Sequence, residues 1–493
     1  MPASSDPHPM FETVIGLEVH AQLLTKSKMY CGCSAAYADA EPNTHVCPVC
    51  LGLPGALPVL NRAAIEFCLL TGLALDAEIP PSCKLDRKNY VYPDLPKGYQ
   101  ISQYDLPLCV GGSLRFDSGG EERRAGITRV HVEEDTGRLV HRVDETGEEV
   151  SLVDLNRSGV PLMEIVGEPD LRSPEEARDY LIALRQVLRY IGASTGSMED
   201  GAFRCDANVS VRRSGDPDLG AKVEIKNMNS FRAVERALRF EEERQRTALL
   251  GGETVSQETR GWVEDRGVTV SQRTKEQAHD YRYFPEPDLP PLSVGEAMVA
   301  EVRARLPELP AARRTRIAAD YGLGPNEAAL LSEERAVADV FETAVGPPGD
   351  AATARAAANW ILNDLLGLQR QRGLPPETLP LDADQLRDLL SALAAGELTS
   401  RAAKELLPQI EAGEQPRNAA RRLNLLSLDD DAAVRAAVDE TVTAFPDAVA
   451  DYRRGKTAAI GRLIGEAIKR TGGRARPDVV RTVLENVLRE ENG

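Results

Sequence analysis

The chain has no apolar run that approaches the ~18 residues needed for a membrane-spanning helix. Met1 to Met10 show neither a basic-then-apolar order nor an Arg-rich amphipathic pattern. A short loose tail is expected there rather than a targeting leader, on a cytoplasmic protein. Cysteine is scarce, and eight thiols in 493 residues do not make a disulfide scaffold. Basic charge is in deficit, with 59 Lys and Arg against 77 Asp and Glu. The net charge of -18 excludes a surface that is a nucleic-acid platform throughout. No internal repeat of solenoid period is present.

What remains is an ordinary globular composition, 42% hydrophobic and 28% charged, long enough for two to four domains. Strand-like alternation with turns fills the first ~290 residues, and helical periodicity follows. The seam is Tyr283-Phe284-Pro285-Glu286-Pro287-Asp288-Leu289-Pro290-Pro291, too proline-rich to be helical. The expected class is therefore α+β. A tail at 1–10 precedes a mixed α/β domain at 11–293, a helical domain at 294–425 and a helical tail domain at 426–493. A weaker signal for the last boundary lies near Gln415-Pro416 or at Asp429–Asp431.

In Ile15-Gly16-Leu17-Glu18-Val19-His20 the period of two turns Ile15, Leu17 and Val19 to one face and Glu18, His20 and Gln22 to the other. The same alternation sets His131 and Glu133 against Val130 and Val132. It sets Asp206, Asn208 and Ser210 against Ala207, Val209 and Val211, and Glu224 and Lys226 against Val223 and Ile225. Ser173-Pro174-Glu175-Glu176 has the form of a capping box with proline in the first turn, followed by Ala177, Leu181, Leu184, Leu188 and Ile191 at helical spacing. Two further helices are expected near the end. Ile460, Leu463, Ile464, Ala467 and Ile468 stripe the first, which Gly472-Gly473 ends. Val480, Val483, Leu484, Val487 and Leu488 stripe the second. From Tyr452 to Arg489 there are ten Lys or Arg against three Asp or Glu, so the rest of this acidic chain carries a basic end.

Cys31-x-Cys33 and Cys47-x-x-Cys50 have the paired spacing of a tetrahedral Zn²⁺ site, with two thiolates from each of two turns. Four protein ligands leave no open position, so such a zinc would be structural; the alternative is four unrelated cysteines. Two familiar patterns fail on context. Gly455-Lys456-Thr457 resembles the end of a phosphate-binding loop, but Ala450 stands where the first glycine belongs. Gly192-Ala193-Ser194-Thr195-Gly196 spells a nucleophile elbow but follows a helix instead of a strand. What is left for chemistry is Glu18, His20, Glu133, Glu134, Glu164 and Asp206. Carboxylates with one imidazole suit Mg²⁺ or Mn²⁺ together with phosphate oxygens. Lys88 is a candidate partner for a phosphate or a developing carboxylate charge.

The stretches 11–20, 86–90, 96–103, 131–135, 151–157, 204–208 and 280–288 resemble the B-subunit family of aspartyl/glutamyl-tRNA(Asn/Gln) amidotransferases, in family order over positions 11 to 292. The helical remainder resembles the family's helical and YqeY-like domains by length and pattern. The resemblance implies a cradle-shaped α/β domain that binds ATP and the 3′ end of Glu-tRNA(Gln), Asp-tRNA(Asn) or both. There the side-chain carboxylate is phosphorylated and then amidated. It implies that Glu18, His20, Glu133 and Glu164 form the metal and phosphate site, and that Lys88, Glu134 and Asp206 lie at the mouth of an ammonia path. It also implies a zinc knuckle at 31–50, ammonia supplied by a separate glutaminase A subunit with a small C subunit, and no activity alone. Arg453, Arg454, Lys456, Lys469 and Arg470 are the expected tRNA contacts, a role the resemblance favours over a merely solvated helix face. The alternative is a non-enzymatic, zinc-bearing RNA-binding scaffold, which would have no need of Glu18, His20, Glu133 and Glu164.

Overall fold

The computed structural model describes residues 10–273, 281–348, 350–427, 431–454 and 456–490. Most of the expected tail, Asp280 of the 280–288 stretch, the Asp429 end of the acidic run and Gly455 lie outside these residues. The described chain forms two compact units, 1–311 and 312–493.

The first unit is built on one nine-stranded sheet. Its principal strands are β1 (Phe11–Gln22), β2 (Glu121–Glu134), β3 (Pro161–Gly167), β4 (Phe203–Arg213), β5 (Val223–Lys226), β6 (Glu258–Val263) and β7 (Val268–Arg273). They lie in the order β7-β6-β5-β4-β1-β3-β2, and Cys109–Val110 and Ser113–Ser118 also pair with β2. β1 is central and antiparallel to both neighbours, its His20 opposite Glu164 on β3 and Arg204 on β4.

Alternation along β1 gives the sheet an oily face and a polar one. Ile15, Leu17 and Val19 are fully buried and join one core with helices α1 (Arg62–Ala74), α2 (Pro174–Tyr190) and α3 (Phe231–Leu250). α2 starts as its sequence predicts, with Ser173 Oγ accepting from the Glu176 amide. The glutamate does not close the box on the cap residue; its carboxylate accepts the Arg172 amide one residue earlier. Leu181, Leu184 and Leu188 on this helix are wholly buried.

The first unit runs past the proline seam, because α4 (Glu296–Arg303) buries Val302 in the same core. The domain edge expected at 293/294 therefore leaves out a helix that packs with what precedes it. Arg87 explains why the seam is extended: its guanidinium grips Glu286 at 2.6 and 2.8 Å. That grip fastens Phe284–Pro285 as a third strand onto Asp86–Asn89 and Tyr99–Ser102.

The second unit is helical and carries two separate cores. One runs from Ile317 to Leu425, the other from Val434 to Leu488. The expected terminal helices are Ala458–Arg470 and Pro477–Glu490. Gly472 and Gly473 between them both take positive φ, and the Gly473 amide bonds back to the Ile468 carbonyl. That left-handed exit is why glycine ends the helix.

Leu184→Ala should lower the stability of the first unit by about 2–5 kcal/mol. The check is the urea midpoint of Trp262 fluorescence in a Trp360→Phe background. An unshifted midpoint would remove α2 from the core that supports the polar face.

Candidate active site and metal centre

The antiparallel register lays the polar side chains out in rows. His131, Glu164, His20 and Arg204 face each other across β2, β3, β1 and β4. Glu133 stands one step along β2 on the same face. His20 Nε2 is 3.5 Å from Glu133 and 3.7 Å from Glu164, and His131 Nε2 is 3.3 Å from Glu164. One ligand atom from each of His20, Glu133 and Glu164 lies within 4.8 Å of the other two. Two carboxylates and an imidazole at that spacing are a donor set for a hard divalent cation with positions left for other ligands.

Electrostatics agree with the geometry. Burial alone would raise the Glu164 pKa, but His131, His20 and Lys88 outweigh it and hold the carboxyl well below its usual range. Lys88 projects from the three-stranded sheet, its ammonium 5.0 Å from the centre of the Tyr281 ring. Burial pulls its pKa down, yet Glu133, Tyr283 and Glu164 push it further up, so it stays a cation.

Not all the expected residues meet. Glu18 lies on the same face one row away, opposite Asp206, and its carboxylate accepts from Asn208 Nδ2 at 2.8 Å rather than joining the three-residue cluster. Lys88, Glu134 and Asp206 have separate partners. Glu134 pairs with Lys97 and accepts the Ile101 amide at 3.0 Å, while Asp206 pairs with Lys226. His131, in contrast, contacts the cluster through Glu164 although it was not among the expected site residues. The alternation in Val130-His131-Val132-Glu133 had already set it beside Glu133. Finding it as a partner of Glu164 needed the pairing of β2 with β3.

The four sulfurs of Cys31, Cys33, Cys47 and Cys50 also lie within 4.8 Å of one another. A tetrahedron of Zn–S bonds of about 2.3 Å spaces its sulfurs roughly 3.8 Å apart. Cys47 and Cys50 are 3.9 Å apart, so the cysteines fit that ion. The hydrogen bond with Cys31 draws Cys50 down to about 4 against its burial, with help from the Cys47 amide and Lys28. Burial pushes Cys33 up to about 11.

In the second unit the basic side chains are exposed but engaged. Arg454 and Lys456 both reach Asp451, Lys469 reaches Glu466 at 2.7 Å, and Arg470 reaches Glu440 at 3.0 Å. Exposed pairs of this kind are worth under about 1 kcal/mol and are readily exchanged for phosphate. Gly192–Gly196 forms a turn after α2.

Residues 13–300 match the family model described as the GatB/GatE catalytic domain, and 339–488 match that of the GatB domain. The chain is 60% identical to the B subunit of the aspartyl/glutamyl-tRNA(Asn/Gln) amidotransferase of Thermomicrobium roseum, over 97% of this chain and 99% of that protein. It is 52% identical to the protein of the same name from Moorella thermoacetica, over 97% of this chain and all of that one. The chain belongs to the amidotransferase B-subunit family. Its fold is accordingly α+β, with a catalytic-domain match over the sheet unit and a second match within the helical unit that follows in sequence. Among the described residues no helix is long and apolar enough to cross a membrane.

Mn²⁺ titrated into the full chain and followed by electron paramagnetic resonance should report a bound ion. Glu164→Gln should weaken that binding by about 10–100-fold or more. Glu18→Gln should leave it unchanged, because that carboxylate is turned to Asn208; equal losses would return Glu18 to the ligand set.

Proposed function

We propose that this chain is the ATP-dependent activating subunit of a tRNA-dependent amidotransferase, acting on the side-chain carboxylate of Glu-tRNA(Gln), Asp-tRNA(Asn) or both. The observation that carries this reading is the cluster of His20, Glu133 and Glu164 facing the Lys88 ammonium on the polar side of the sheet. A carboxylate is a poor acyl donor at neutral pH, so it must first acquire a leaving group. A carboxylate oxygen attacks the γ-phosphorus of ATP; the new O–P bond forms as the bond to the β-phosphate bridging oxygen breaks and ADP leaves. Ammonia then attacks the acyl carbon. The C–O bond breaks, phosphate departs with its electron pair, and the nitrogen loses a proton to give the amide.

Mg²⁺ or Mn²⁺, when bound, neutralises phosphate charge and orients its oxygens. His20, Glu133 and Glu164 would hold it, and His131, 3.3 Å from the Glu164 carboxylate, helps to fix it. Lys88 supplies a fixed positive charge where the attacking carboxylate and the transferring phosphoryl group must approach each other despite their like charges. Glu18, turned to Asn208 beside Asp206 and Lys226, reads better as part of the wall next to the metal than as a ligand. Zn²⁺ at Cys31, Cys33, Cys47 and Cys50 would be structural.

Ammonia would come from a separate glutaminase A subunit, docked with a small C subunit. Arg453, Arg454, Lys456, Lys469 and Arg470 would meet tRNA backbone phosphates, trading weak carboxylate pairs for phosphate contacts. The family's activity in translation fits a cytoplasmic setting.

In the reconstituted complex, Glu133→Gln and Lys88→Met should each cut ATP-dependent formation of the amide by about 100-fold or more. A wild-type rate in Glu133→Gln would end the phosphoryl-transfer assignment. Alanine at Arg453, Arg454 and Lys456 together should raise the KM for mischarged tRNA and flatten its salt dependence by a log–log slope of about 2–3, with kcat kept. An unaltered salt slope would remove these residues from the tRNA interface.

A further inference from the structure

Lys28 is wholly buried, yet no carboxylate pairs with it among the described residues. Its ammonium donates to two backbone carbonyls, His45 at 2.7 Å and Leu155 at 3.4 Å. A buried ammonium held only by neutral oxygens is unfavourable unless an anion lies close. Glu134 is a carboxylate in the local packing. A methyl group placed on Gly159 would touch Lys28 Cδ at 3.5 Å, Cys50 Cβ at 3.7 Å and Glu134 Oε2 at 3.8 Å. Glu134 already has its own cation in Lys97. Cys50, one of the four clustered cysteines, packs at the same point as Lys28.

Its attachment is as telling as its burial. The Lys28 backbone amide donates to the Cys33 carbonyl at 2.9 Å, and its side chain donates to His45, two residues before Cys47. One residue is thus tied to both cysteine-bearing turns. Four thiolates around one Zn²⁺ leave a net charge of about -2 in a half-buried loop. The structure assigns Lys28 as the internal counter-ion of that centre, a positioning residue whose charge stabilises the loaded tetrathiolate and whose two bonds hold the turns together. The assignment rests on the zinc reading given above.

The test uses the full chain, with Lys28→Gln to remove the charge while keeping a donor for His45, and Lys28→Arg to keep the charge. Bound zinc is counted by elemental analysis. Its release to a chromophoric chelator is timed, and the Co²⁺-substituted proteins are compared by their thiolate charge-transfer bands. Lys28→Gln should lose zinc at least about 10-fold faster than wild type, as expected when a partner supporting a metal site is lost. Lys28→Arg should stay near the wild-type rate. Equal release rates and equal spectra for the Gln variant and wild type would overturn the counter-ion role. Absence of zinc from the wild type would instead overturn the zinc reading itself. If Lys28→Gln does not fold, Lys28→Gln with Cys50→Ser decides the matter: removing one charge of each sign should restore folded protein relative to either single change. A double variant no better than the worse single one would also overturn it.

Discussion

The register of β1 between β3 and β4 is the constraint on which the rest of the first unit depends. A strand alternates strictly, so slipping β1 by one residue would turn Glu18 and His20 into the helix-covered core and Leu17 and Val19 into the polar face. Burying an unpaired carboxylate and exposing the aliphatic row are both unfavourable, and that asymmetry locks the pairing. With it locked, His20 must face Glu164, and Glu164 must face His131. The site is a consequence of sheet pairing, assembled from strands that are adjacent in space but about 30 to more than 100 residues apart in the chain.

A second layer of order surrounds that sheet. Arg87 and Glu286 clamp the small sheet that presents Lys88, and the cysteine loop braces the chain leading into β3. Asn156 connects the two directly: its side chain accepts the His45 amide at 2.8 Å and donates to the Glu41 carbonyl at 2.8 Å. Gly159 then donates to Asp135 just past the end of β2. The cysteine loop therefore reaches the ends of both strands that carry Glu133 and Glu164. A structural metal there would bear on catalysis through geometry, without touching the reacting atoms.

Much of this was legible in the chain. Period-two alternation gave the polar faces of β1, β2, β4 and β5, and serine followed by proline gave the start of α2. Paired cysteine spacing found a cluster that does converge. Three things were not legible. Which strand lies beside which is a non-local property, so His131 could not be joined to Glu164. The turning of Glu18 toward Asn208 depends on a residue 190 positions away. The separate partners of Glu134 and Asp206 are Lys97 and Lys226, pairings across strands that no local pattern reveals. The helix at 296–303 shows the same limit in another form, since helical periodicity marks its kind but not the core it joins.

The central claim is that the oxygen-rich face of this sheet phosphorylates a carboxylate before ammonia arrives. It can be followed with oxygen itself, using mischarged tRNA whose side-chain carboxylate carries ¹⁸O. In the complete complex with ATP and glutamine, mass analysis of the inorganic phosphate should find one ¹⁸O transferred from the carboxylate for each amide formed. Phosphate free of the label, with amide made at the normal rate, would contradict the account.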